Sequence, residues 1–194
     1  MILLTALIAG LGAGLLRAWW NKRAYQSIRL KNWWLVILAF FPQLIAFQWK
    51  VTSPRFPDSL APLALVSTQV LLLAFVWFNR SEPRVWIMGT GLILNFLVIV
   101  LNGGLMPISP ETVSKLLPNI SDTLWHVGER LGTGKDIVLT TNSTRLWFLS
   151  DRFMLPSWLN YRVAFSLGDI FISIGTFWLL WSLGGPQKPE ENIA

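Results

Sequence analysis

Cysteine is absent from the 194 residues, and histidine occurs once, at His126. Disulfides, thiolate metal sites, iron–sulfur clusters and cysteine nucleophiles are therefore excluded. One histidine cannot supply a bis-His haem or a multi-His metal centre, and no cofactor is expected. Charge is scarce too. Asp, Glu, Lys and Arg make up 13% of the chain, against roughly 25% in soluble domains. That is too little to coat a water-facing surface, which argues against a disordered chain, a soluble enzyme and a nucleic-acid reader. What fills the chain instead is hydrocarbon: 53% hydrophobic residues, with a mean hydropathy of +0.51. The apolar residues come in long blocks, so the expected class is an integral membrane protein with the lipid bilayer as its first partner. The net charge of +6 then reads as basic flanks attracted to anionic lipid. The twelve tryptophans suit repeated crossings of the membrane–water interface.

Five apolar blocks stand out: 2–20, 33–49, 60–78, 85–101 and 167–183. Each runs for roughly 17–20 residues, the length that crosses a ~30 Å hydrocarbon core at 1.5 Å per residue. Backbone polar groups in lipid must pair internally, so the blocks should be helices. The run Leu71-Leu72-Leu73-Ala74-Phe75-Val76 lacks the two-residue alternation of a barrel strand. The first block has no basic segment ahead of it, so it reads as a retained helix rather than a signal peptide. Arg17, Lys22, Arg23, Arg29 and Lys31 follow it with no acid among them, which predicts a cytoplasmic first connection. Alternation then puts 48–59 and 102–166 outside, 79–84 inside, the N-terminus outside and the C-terminus inside. The expected fold is all-α: a single transmembrane domain over 1–185, a bundle of about five helices, an extracytoplasmic cap over 103–165, and a disordered tail over 186–194.

Within the cap, Ser109-Pro110-Glu111 predicts a helix start, with a capping serine, proline in the first turn and an acid at the positive end. Pro118 should end that helix. A second helix is expected over 119–131, stopped by Gly132-Thr133-Gly134. The stretch Arg145 to Trp158 mixes large apolar residues with Arg145, Asp151 and Arg152. It is too short and too charged to span, and suits a segment on the outer membrane face or folded against helix ends. Asp122 lies four residues before His126, which in a helix gives a structural surface pair. Gly132-Thr-Gly134-Lys135 lacks the spacing of a phosphate loop. Asn119-Ile-Ser and Asn142-Ser-Thr are glycosylation sequons only in a host that glycosylates.

A few residues inside or beside the blocks are candidates for function. Asn102-Gly103-Gly104-Leu105-Met106-Pro107 reads either as a C-cap followed by a helix-stopping proline or as a bent backbone lining a pocket. Ser166-Leu167-Gly168-Asp169 is a capping-box pattern, and Asp169 is also the acid that a proton or ion path would use. No second acid lies inside an apolar block, which removes an aspartyl-protease reading. Gln43, Gln69 and Asn95 sit near the middles of their blocks and should face one another or a ligand, because an unpaired amide in hydrocarbon is costly. Pro42 should kink the second helix. Gly10 and Gly14 form a small-xxx-small face for packing within the bundle or against another subunit.

Asn102-Gly103-Gly104-x-Met106-Pro107, Thr144-Arg145-Leu146-Trp147-Phe148-Leu149-Ser150-Asp151, Pro156 and Phe165-Ser166-Leu167-Gly168-Asp169-Ile170 together resemble a family of small bacterial membrane proteins known only as a domain of unknown function. Serine stands at 150 where the resemblance leads one to expect glycine, and no second proline follows Pro156. The resemblance implies a bacterial cytoplasmic (plasma) membrane and about five helices. It brings no activity, substrate or cofactor. The expected function is that of a non-catalytic accessory subunit packing with a membrane partner or larger complex. The alternative is a small carrier or binder of a lipid-like or amphipathic molecule that uses the mid-membrane amides and Asp169. An intramembrane enzyme is the weakest reading, because nothing places Asp169, Asp151 and His126 together.

Overall fold

The protein is described by a computed structural model covering residues 2–118, 125–156, 158–159 and 161–186. Most of it is helical. In chain order the elements are α1 (Ile2–Trp20), α2 (Trp34–Gln43) continued by a π-helical turn (Leu44–Gln48), a 3-10 turn (Ser53–Arg55), α3 (Ala61–Phe78) and α4 (Pro83–Leu101). There follow β1 (Met106–Ile108), α5 (Pro110–Leu116), β2 (Asp136–Val138), a 3-10 turn (Trp147–Leu149), β3 (Phe153–Met154), β4 (Ala164–Phe165) and α6 (Leu167–Ser182). Every apolar block is thus a helix. Three of them, α1, α3 and α4, are long and apolar enough to cross a membrane. The other two, Trp34–Gln48 and Leu167–Ser182, are shorter apolar helices.

The helices pack side by side in the order α1, α6, α4, α3, α2. Along α4 and α6 the contacts run in opposite order. Arg84 meets Ser182, Met88 meets Gly175 and Thr176, Gly91 meets Gly168, and Asn95 meets Ser166 and Asp169. Along α1 and α6 they run in the same order, Gly10 against Phe177 and Gly14 against Leu180 and Gly184. Residues 21–33, 79–82 and 183–186 therefore share one end of the bundle, and 49–60 and 102–166 share the other. The first end is tied by Asn79, whose Nδ2 donates to the Lys31 carbonyl while its Oδ1 accepts from the Lys31 N–H. Tyr25 and Gln26 donate to the carbonyls of Leu180 and Gly185.

Small residues set these contacts. A Cβ on Gly10 would lie 2.8 Å from the Phe177 Cα, and one on Gly14 would lie 2.5 Å from the Leu180 carbonyl oxygen. The Gly10/Gly14 face is thus spent inside the bundle on α6. Large apolar side chains such as Leu4, Ile8, Leu11 and Leu15 point outward instead, as suits a helix solvated by lipid. The second helix changes character just after Pro42. The α-helix stops at Gln43 and the chain continues with a π turn. Within that turn the Ala46 carbonyl accepts from Arg130 Nη2 at 3.1 Å. The Arg130 guanidinium also reaches Gly134 O, Thr133 O and Asp58 Oδ1, clamping 130–134 to the bundle.

Residues 103–165, expected to form a cap, depart from the all-α expectation. β1 and β2 pair in parallel, and β3 and β4 pair antiparallel. Ladders of two or three residues have too little periodicity to be read from sequence. α5 starts as expected, with Ser109 Oγ accepting from the Thr112 N–H, and it ends before Pro118. The expected helix over 119–131 is not found in its described part. Residues 125–131 form turns, and Arg130 bridges to Ile137. Residues 119–124 lie outside the described residues, and with them Asn119 and the Asp122 partner of His126. Residues 187–194 of the tail also lie outside them. Asn142 is exposed in a turn. The cap is held by buried Leu105, Met106 and Leu149 packed on Ala61, Leu65, Val98 and Ile99. A second cluster joins Ile108, Val113 and Val138. Each such side chain contributes on the order of 1.5–3 kcal/mol.

Candidate functional site

The glycine-rich exit of α4 is a cap. Gly103 and Gly104 have φ of +84° and +88°, and the Gly104 N–H donates to the Ile99 carbonyl at 2.8 Å, a Schellman closure. Asn102 secures it. Its Nδ2 donates to the carbonyls of Val98 and Arg145, and its Oδ1 accepts from the Arg145 N–H. The segment before Trp147 is therefore pinned to the last turn of α4. The chain then enters β1, where Met106 and Pro107 are fully buried. The Met106 N–H donates to the Lys135 carbonyl and the Pro107 carbonyl accepts from the Asp151 N–H. The Asn-Gly-Gly-x-Met-Pro motif thus builds the floor on which Lys135 and Asp151 meet.

Asp151 has 2% of its side chain exposed, and its Oδ2 lies 2.5 Å from Lys135 Nζ. Lys135, with 38% of its side chain exposed, also bonds Asp136 Oδ1 at 3.0 Å. Asp151 Oδ1 is buried and has no partner among the described residues. Burial pushes the Asp151 carboxyl well above the usual carboxylate range. Lys135 opposes that push, and Asp136 and Asp169 add to it. Burial also weakens the Lys135 ammonium, but Asp136, Asp151 and Asp169 outweigh it and hold the amine above its ordinary value. One lysine thus pairs with two acids, Asp136 and Asp151.

Asp169 is part of a second network, one step deeper. Ser166 Oγ accepts from the Asp169 N–H at 3.0 Å, and Asp169 Oδ2 accepts from the Ser166 N–H at 3.2 Å, so the capping box forms. Asn95 joins it from α4, donating from Nδ2 to Asp169 Oδ1 at 2.9 Å and accepting the Ser166 hydroxyl at 2.8 Å. Gly168 lets α4 come this close. A Cβ there would sit 2.6 Å from the Gly91 carbonyl oxygen. Because α6 begins beside Asn95, seven residues before the cap residue Asn102, its start is recessed about 10 Å below the exit of α4.

The expected meeting of the mid-membrane amides does not occur as a hydrogen bond. Asn95 turns to α6, and Gln69 is buried with its Oε1 unpartnered among the described residues. Gln43, at the end of α2, is only partly buried. Pro156 is exposed, accepting from the Leu159 N–H, and stays outside the cluster. Ser150 has a φ of −67°, a conformation that any residue adopts, so serine serves in place of glycine. Lys135 and Asp136 were not foreseen. The signal was Asp151 itself: an acid destined for burial needs a cation, and residues 102–166 offered six.

A pocket of about 150 Å³ is lined by Ser109, Thr112, Thr141, Thr144 and Ser150 together with Trp147 and Arg152. The Arg152 guanidinium stacks 4.4 Å above the Trp147 ring. Trp147, Phe148 and Phe153 are exposed, and the Trp147–Leu149 turn packs on α4 and α6. Polar recess and bare aromatic rings are therefore adjacent at the level where α4 leaves the bundle.

Residues 27–181 match a family described as a family of unknown function, DUF5317. The chain belongs to this family. The DUF5317 span contains the whole polar network and every residue of the hydroxyl pocket, and leaves out α1. The chain is also similar to an uncharacterised protein of Thermotoga maritima, 29% identical over 159 residues that cover 81% of this chain and 78% of that protein. No solved structure matches.

Proposed function

We propose that this DUF5317 protein is a non-catalytic integral protein of the bacterial cytoplasmic membrane that crosses five times. Its N-terminus is outside, its C-terminus is inside, and the 103–165 cap is extracytoplasmic. In this reading it works by holding an amphipathic molecule at the outer bilayer boundary. The observation that carries the binding role is the hydroxyl-lined pocket opening beside exposed Trp147, Phe148 and Phe153. A polar head fits the recess while a tail lies along the rings and the apolar outer face. The capping box already satisfies Asp169 and Asn95, so the binding role moves from the mid-membrane amides to the cap. The accessory-subunit reading loses one of its supports, because α6 occupies the Gly10/Gly14 face.

Two measurements test this. The chain has no cysteine, so a single introduced thiol is a clean reporter. In intact cells an impermeant maleimide is expected to label Asn142→Cys and to spare Ser27→Cys until the membrane is opened. Labelling of Ser27→Cys from outside would reverse the orientation. Solvent extraction of protein purified in mild detergent is expected to release an amphiphile at about one per chain. A lipid-free protein of unchanged thermal stability would end the binder reading.

A further inference from the structure

The chemistry of the pocket indicates what kind of head it takes. Arg152 is exposed and stacked on Trp147, and no hydrogen bond or ion pair engages its guanidinium among the described residues. Its neighbour in sequence, Asp151, faces the other way, onto Lys135. No carboxylate lines the recess. A guanidinium held flat against an aromatic ring presents its planar fork of N–H donors, the arrangement that matches phosphate and carboxylate oxygens.

Most of the pocket's hydroxyl hydrogens are already engaged. Ser150 and Thr144 donate to the carbonyls of Trp147 and Thr140. Ser109 Oγ lies 3.1 Å from Thr112 Oγ1, and the Ser109 side chain also hydrogen-bonds the exposed Glu111 carboxylate. No bond within the described residues uses the Thr141 hydroxyl. The donors left for a ligand are therefore the Arg152 guanidinium and the Thr141 hydroxyl. A charged guanidinium fork favours an oxyanion over a neutral head.

We propose that Arg152 and Thr141 form a binding site for the phosphate-type oxyanion of an outer-leaflet amphiphile. The proposal rests on the amphiphile-binding reading above and adds the charge and chemistry of the head group. The exposed rings of Trp147 and Phe148 select a lipid-borne phosphate over a free one, because they lie where a tail would follow the head into the bilayer.

Native mass spectrometry of the full chain in detergent, titrated with defined ligands, provides the test. Phosphatidylglycerol is expected to bind at least about 10-fold more tightly than a neutral diglucosyl diacylglycerol, as befits a charge-assisted contact. Arg152→Gln should remove that preference, and Arg145→Gln, the same loss of charge outside the pocket, should keep it. Unchanged thermal stability of Arg152→Gln keeps folding out of the result, and Thr141→Val should weaken phosphatidylglycerol binding severalfold in an otherwise intact protein. Equal binding of the glycolipid, unaffected by Arg152→Gln, would overturn the oxyanion site while leaving an amphiphile binder. Inorganic phosphate binding at the same site as tightly as the lipid would overturn the lipid source. No saturable binding of any lipid would overturn this proposal and the amphiphile reading together.

Discussion

Gly168→Ala is expected to separate α4 from α6 and to leave little monodisperse protein in the membrane fraction. The added Cβ would lie 2.6 Å from both the Asn95 Cγ and the Gly91 carbonyl oxygen. Backbone cannot yield as a flexible side chain can, so the cost is about 3 kcal/mol or more. The harm extends past the clash, because Asn95 is displaced from Ser166 and Asp169, and the capping box loses its interhelical member. Gly91→Ala should fail in the same way, since its Cβ would lie 2.8 Å from the Ile172 amide nitrogen. The matched control is Gly12→Ala, where nothing lies within 4 Å. There the exchange should be neutral or stabilising by up to ~1 kcal/mol through helix propensity. Fluorescence-detected gel filtration and thermal melts of the three variants test the set. A Gly168→Ala protein as stable as wild type would mean that the α4–α6 contact is looser than described.

The second large effect is expected at Lys135. Lys135→Met removes the cation that, among the described residues, pairs with buried Asp151, and breaking a buried pair from one side costs about 3–5 kcal/mol. Asp151→Asn should cost far less, because an amide oxygen still accepts from Lys135 and Asp136 still balances the ammonium. The pH dependence has a definite sign. Asp151 is harder to ionise in the folded chain than in the unfolded one. Its contribution to stability is therefore complete below the unfolded value of about 3.9 and drains away as pH climbs through the higher folded value. Lys135, held above its ordinary value, adds a loss only above about 10.4. The window is thus set by Asp151: the wild-type melting temperature should fall as pH rises above about 4, relative to that of Asp151→Asn. Parallel curves for the two proteins would remove Asp151 as the cause, and a Lys135→Met protein as stable as wild type would show that the ion pair does not hold the cap.

What could be read from sequence was what is local. Each apolar block became a helix because a run of some 17 apolar residues has one way to satisfy its backbone. The Ser109 and Ser166 caps and the Asn102-Gly103-Gly104 exit are set within a few residues of themselves and appear where expected. What was not legible depends on which distant segments meet. Asn95 was matched with the wrong amides because only the α4–α6 packing brings it to Ser166 and Asp169. Lys135 was passed over as a failed phosphate loop, and choosing it as the partner of Asp151 requires the β1–β2 pairing that aligns Met106 with Asp136. The hydroxyl pocket draws Ser109, Thr141 and Arg152 from segments about 30 residues and 10 residues apart, and no spacing rule connects them.

The recessed start of α6 has a consequence for the surrounding lipid. Sixteen residues reach only about 24 Å, several ångströms short of an average hydrocarbon layer, whereas α4 beside it reaches nearly the full depth. With α6 crossing as proposed, the film must dimple on the cap side of that one helix, at a cost of a fraction of a kcal/mol per ångström of mismatch. Short-chain lipids relieve this cost and long-chain lipids raise it. The protein should therefore gather thin membrane around itself, with its deepest depression at the foot of the cap.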